Sequence, residues 1–194
     1  MVVASIWIFA YLLGSIPCGV LLARTRNINI REHGSGNIGA TNVARTLGKT
    51  LGLLTLLGDL LKGLGAVALA SAVLPQVWEV SVAGLAAYLG HLFSIFLKFK
   101  GGKGVATGLG VLIYLMPLPT LCAAGIFALT LQISKYVSMG SMLAALTVPL
   151  LGIIFKSPIP HIYTACIIAV LTLYKHSENI KRIISGTEAR FIKK

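Results

Sequence analysis

Three polar stretches in an otherwise apolar chain carry the residue types that hold anions. The first is Gly34-Ser35-Gly36-Asn37-Ile38-Gly39-Ala40-Thr41-Asn42-Val43-Ala44-Arg45. Its glycines let the backbone approach a ligand closely. Asn37 is placed to cap a short helix that ends near Gly48, on which Thr41 and Arg45 are i, i+4 and share a face. Helix-start N–H groups, hydroxyls and a guanidinium suit an anion. A flexible Gly/Ser connector would not need Asn, Thr and Arg at helical spacing. The second stretch, Lys98 to Thr107, sets Gly101, Gly102, Lys103 and Gly104 at the start of another helix. It departs from the nucleotide-binding G-x-x-x-x-G-K-[ST] pattern, and no strand or acidic magnesium partner accompanies it, so ATP is disfavoured. The third is His176-Ser177-Glu178-Asn179-Ile180-Lys181-Arg182, followed by Gly186-Thr187-Glu188. On a helix continuing from the last apolar segment, His176, Asn179 and Arg182 line one face, and histidine exchanges protons near neutral pH.

Isolated polar residues add less. Ser141, after Met139-Gly140, could cap its helix or touch a ligand. Asp59 and Lys62 are i, i+3 inside an apolar segment, where an ion pair is either functional or a support for the first stretch. A lone His91 reads as a structural hydrogen bond, and Glu79 and His161 as interfacial. There is no G-x-S-x-G elbow, no H-x-x-x-x-D pair and no metal constellation, so neither a hydrolase nucleophile nor a metal or other cofactor is expected. Cys18, Cys122 and Cys166 lie in apolar runs and read as small packing residues.

The elements that position these stretches are membrane helices. Of 194 residues, 56% are hydrophobic and only 11% charged, with a mean hydropathy of +0.88; soluble domains carry about 25% charge. Segments 2–23, 51–74, 78–97, 139–155 and 159–174 are apolar enough to span. Residues 104–134 are apolar too, but Pro117-Leu118-Pro119 divides them into a short 104–116 and a 119–134. The expectation is an all-α integral membrane protein of seven transmembrane helices, 1–194 forming one domain, with a short, broken fourth helix. That fourth helix is too short to cross alone, which would recess its basic N-terminus below the surface.

The charge follows the topology. Seventeen Lys and Arg stand against five Asp and Glu. Fifteen of the seventeen fall in alternate connections: five in 24–50, three in 98–103, Lys135, and six from Lys175 to Lys193 and Lys194. By the positive-inside rule the N-terminus is outside, the C-terminus cytoplasmic, and all three polar stretches share the cytoplasmic side. The first apolar run lacks a basic n-region and a cleavage site, and is expected to be a retained helix. No basic stripe is interleaved with aromatics, so nucleic acid is not an expected partner. A carrier of phosphorylated anions would place polar groups near the midplane and often in repeats; neither is visible. A structural or regulatory membrane protein would need no glycine-rich anion loops. Positive charge and backbone donors recessed into a membrane fit group transfer between a phosphorylated substrate and a lipid.

The stretches GSGNIGATNVAR, GHLFSIFLKFKGGKGVAT and HSENIKR…GTE resemble, in this order, the three cytoplasmic motifs of the bacterial acyl-phosphate:glycerol-3-phosphate acyltransferases, the PlsY family. GSIPCG at 14–19 and GDLLKG at 58–63 resemble it too. One position departs: Asn29 stands where relatives often carry Asp, two residues before Arg31. The resemblance implies transfer of a fatty acyl group from acyl phosphate to the 1-hydroxyl of glycerol 3-phosphate in the bacterial inner membrane, giving lysophosphatidic acid and inorganic phosphate, without acyl-CoA or acyl carrier protein. It further suggests that Ser35, Gly36, Asn37, Thr41 and the Gly101–Gly104 backbone serve the acyl phosphate, with Asn42 and Thr107 as further substrate contacts. Arg45, Lys103, Ser141, His176 and Asn179 would serve glycerol 3-phosphate. Either His176 or the substrate's own phosphate takes the hydroxyl proton. Acyl-chain preference and oligomeric state do not follow from the motifs.

Overall fold

The computed structural model describes residues 1–191; Lys193 and Lys194 of the basic tail lie outside them. Those residues are helical, with no strand among them. They fall into two compact units, one from Met1 to Leu115 and one from Met116 onward.

The first unit contains α1 (Val2–Ser15), α2 (Cys18–Arg24), α3 (Ala40–Leu47), α4 (Lys49–Val73), α5 (Val77–Leu92) and α6 (Val105–Leu115), with 3-10 turns at Ile30–Glu32 and Ile95–Leu97. α1 packs along α5, and α4 along α6. Small residues set both contacts. A Cβ on Gly14 would collide with the Ala87 carbonyl and one on Gly90 with that of Tyr11; Gly63 meets the Thr107 carbonyl and Gly110 that of Leu60. Such close backbone approach is how helices associate in lipid, where burying apolar side chains gives no advantage. α4 shows the corresponding inversion. Leu53, Leu57 and Leu61 are 55%, 44% and 58% exposed, whereas Thr55, Asp59 and Lys62 are 0%, 2% and 6% exposed. The apolar face looks outward and the polar face is packed, which makes sense only if hydrocarbon is the solvent.

The second unit contains α7 (Pro117–Ser134), α8 (Val137–Ile154), α9 (Ile159–Lys175) and α10 (Ser177–Ile184). α8 packs between α7 and α9 in sequence order. Four helical stretches are long and apolar enough to cross a membrane, namely Lys49–Val73, Val77–Leu97, Pro117–Ser134 and Val137–Ile154, and α1 with α2 makes a fifth. At 1.5 Å per residue, α6 reaches about 16 Å and α9 about 25 Å, against roughly 30 Å of hydrocarbon.

Several expectations change. The single helix expected over 2–23 is broken: Pro17 has no N–H to give, Ile16 turns to φ −58°, ψ 119°, and α1 and α2 meet at a 41° bend. The turn expected at 117–118 is displaced, because Pro117 occupies the first turn of α7, where a missing N–H costs nothing. Cys122 and Cys166 are exposed rather than packed. The helix expected to run on through His176 stops there, at φ −100°, ψ 8°, before α10 begins.

Candidate active site

In the first unit, the first glycine stretch wraps around one amide. Asn42 is 2% exposed. Its Oδ1 accepts the Ser35 N–H at 2.9 Å, and its Nδ2 faces the carbonyls of Asn37 (2.8 Å), His33 (3.0 Å) and Ile30 (3.3 Å). Gly34 and Gly36 take φ of +60° and +68°, so the chain can close this tightly. Expected as a ligand contact, Asn42 is placed as the hub of the loop. Asn37 does not cap α3 as expected: the N-cap is Gly39, and the Asn37 Oδ1 instead accepts the Gly39 N–H at 2.8 Å. Ser35 is exposed at the loop tip, Gly36, Asn37 and Thr41 are half-buried, and Arg45 is exposed one turn beyond Thr41 on α3. At the departing position, the Asn29 Oδ1 accepts the Arg31 N–H and its Nδ2 donates to Glu32 at 2.5 Å. Asparagine therefore keeps the cap an aspartate would give and adds a bond that a carboxylate could not donate.

The second stretch folds back on the end of α5. Gly101 N–H donates to the Leu92 carbonyl and Gly102 N–H to that of His91, both at 3.1 Å. These two N–H groups shape the loop, so the donors available to an anion lie further along, towards the first turn of α6. Gly104 has φ +79°, and a Cβ there would strike the Tyr88 ring. Lys103 is half-buried. The two stretches meet: the Arg31 guanidinium donates to the Lys100 carbonyl, and a Cβ on Gly102 would stand 3.1 Å from Ile38. Thr107 is fully buried and turns to the His91 Nδ1, 3.1 Å away, which makes His91 the structural hydrogen bond it was expected to be. Asp59 and Lys62 form a buried pair at 2.8 Å.

In the second unit, His176 is 2% exposed. Its Nδ1 lies 2.8 Å from the Thr172 carbonyl. A carbonyl only accepts, so Nδ1 carries a proton, and in the neutral form of the ring the lone pair lies on Nε2. Ser141 is in the second turn of α8, where its Oγ donates to the Val137 carbonyl at 2.9 Å; it does not cap the helix. Glu188, outside the expected site set, gathers the third stretch. Its carboxylate accepts from Ser138 Oγ (2.6 Å), Asn179 Nδ2 (2.6 Å) and Arg182 Nε (2.8 Å). Burial pushes this carboxyl up, but the three donors and the Arg182 charge outweigh it and hold the group below its ordinary range. Sequence spacing could suggest Arg182 with Asn179; it could not show that both point at a carboxylate beyond the helix end.

Similarity to known proteins extends over nearly the whole chain. A family model described as glycerol-3-phosphate acyltransferase matches residues 4–186. A glycerol-3-phosphate acyltransferase of Geotalea daltonii is 53% identical over 183 residues, 94% of each chain. One of Geobacter sulfurreducens is 50% identical over 184 residues, again 94% of each. Two crystal structures of PlsY (YgiH), an integral membrane glycerol 3-phosphate acyltransferase, are 38% identical to this chain. The glycerol 3-phosphate form superposes with a TM-score of 0.95 over 99% of this chain and 96% of that one. The lysophosphatidic acid form gives 0.92 over 98% and 95%. The chain is an integral membrane protein of the glycerol-3-phosphate acyltransferase family.

Proposed function

We infer that the chain transfers a fatty acyl group from acyl phosphate to the 1-hydroxyl of glycerol 3-phosphate, releasing lysophosphatidic acid and inorganic phosphate. The observation that carries this reading is the pair of interlocked glycine loops, braced by Asn42 and by Arg31 on Lys100 and placed at the starts of α3 and α6 beside Lys103 and Arg45. Such a site offers fixed donors and positive charge to a phosphate that must leave.

In the reaction, the glycerol oxygen adds to the acyl carbonyl carbon and the carbon–oxygen bond to phosphate breaks. The hydroxyl proton passes to a base. Loop 35–41 and the 101–104 backbone with the N–H groups that open α6 are assigned to the acyl phosphate; the Thr107 side chain, fully buried and turned to His91, is not. Arg45, Lys103, Ser141, His176 and Asn179 are assigned to glycerol 3-phosphate. His176 Nε2 is the assigned base, because the Thr172 carbonyl fixes the tautomer that leaves it an acceptor. The same reading takes residues 1–194 as one catalytic domain of seven spans in the bacterial inner membrane, N-terminus outside, with the three motifs facing the cytoplasm. The alternating basic connections support it.

Phosphate release by the purified protein tests this. Palmitoyl phosphate with glycerol 3-phosphate should give steady release, and palmitoyl phosphate alone should give none. Release without acceptor would indicate a hydrolase, and none in either case would refute the reading.

A further inference from the structure

Beneath the two glycine loops lies a charged cluster with no role in the chemistry above. Asp59, Lys62 and His91 are 2%, 6% and 4% exposed. Lys62 Nζ is 2.8 Å from Asp59 Oδ1, and that oxygen is 3.6 Å from His91 Nδ1. Each end of the cluster reaches a loop. Lys62 donates to the Ile16 carbonyl at 2.6 Å, the group exposed where α1 breaks ahead of Pro17. Three residues on, Gly19 is so close to the Ile38 carbonyl that a Cβ would not fit, so the start of α2 backs the first loop. At the other end, the His91 ring stands against Gly102, where a Cβ would collide with Nε2, and its own carbonyl accepts the Gly102 N–H.

Charge inside a membrane protein is costly, and a buried ion pair can often be replaced by apolar residues without loss of stability. Pinning helices together therefore does not require this pair. Holding two irregular backbones at fixed depth does, because a carbonyl at a helix break and a ring over a glycine need directional partners.

We propose that Asp59, Lys62 and His91 form a positioning cluster that sets the two glycine loops against each other for the acyl phosphate, without touching substrate. The proposal rests on the acyltransferase reading. Its test uses the full chain in detergent, with thermal unfolding and separate titrations of palmitoyl phosphate and glycerol 3-phosphate. The doubly neutral Asp59→Leu/Lys62→Met variant should unfold at nearly the wild-type temperature. Its kcat/KM for palmitoyl phosphate should nevertheless fall about a hundredfold, while KM for glycerol 3-phosphate stays within about threefold. Thr107→Val, nearly isosteric and lacking only the hydroxyl on His91, should show the same split at about fivefold. A double variant as active as it is stable would overturn the proposal, as would equal rises in both KM values. If the double variant does not fold, wild-type kinetics in Thr107→Val overturn it alone. No turnover by the unmodified chain would instead remove the acyltransferase reading, and the proposal with it.

Discussion

Asn42 organises the first loop through both ends of one amide, and it separates residues that shape the site from residues that meet substrate. Asn42→Asp keeps the acceptor for Ser35 but sets a carboxylate against three carbonyls. It should cost about 1–3 kcal/mol in thermal or denaturant unfolding and lower kcat/KM for both substrates. Arg45, exposed on α3, should behave differently. Arg45→Lys keeps the charge and loses the fork, so KM for glycerol 3-phosphate should rise about tenfold with unfolding unchanged; near-normal kinetics would remove the bidentate role. His176→Gln separates base from binder. With Nε2 as base, kcat falls about a hundredfold and KM for glycerol 3-phosphate stays within about threefold. A rise confined to KM would move the proton to the substrate's phosphate.

At the scale of elements, the third stretch is held by one carboxylate. Glu188 ties α8, through Ser138, to α10, through Asn179 and Arg182. Its folded pKa is depressed below the ordinary glutamate value. The stabilisation is therefore present above that value and lost as pH falls through the folded one. Amide hydrogen exchange across 177–191 should accelerate as pH drops below about 4.5, after correction for the intrinsic rate, whereas Glu188→Gln should abolish that added step. The α4–α6 contact depends on absent side chains instead. Gly110→Val places a Cβ against the Leu60 carbonyl and should lower the unfolding temperature, at a cost of about 1–3 kcal/mol. Much of this was legible in the sequence. The apolar runs gave the helices, Gly48 gave the end of α3, and the spacing of Asp59 and Lys62 gave their ion pair. The break at Ile16-Pro17 was less visible, because an apolar run through a proline reads as one span unless something satisfies the freed carbonyl, and Lys62 comes from 46 residues away. The N-cap lies at Gly39 rather than Asn37, because the Asn37 side chain is taken by the Gly39 N–H and its carbonyl by Asn42, contacts that spacing alone does not reveal.

Along α4 the leucines face outward while Thr55, Asp59 and Lys62 are packed, and the basic residues gather in a few connections between apolar segments. Both features answer to a bilayer, and they explain why a net charge of +12 accompanies so few charges. The proposed use of that asymmetry is to hold phosphates at a lipid surface, which leaves acyl transfer as the central claim. The direct measurement follows the label from [1-13C]palmitoyl phosphate by mass spectrometry in the presence of the purified protein and glycerol 3-phosphate. Label appearing in 1-palmitoyl lysophosphatidic acid, mole for mole with released phosphate, is the predicted result. Label recovered as free palmitate, or retained in palmitoyl phosphate while glycerol 3-phosphate goes unacylated, would contradict it.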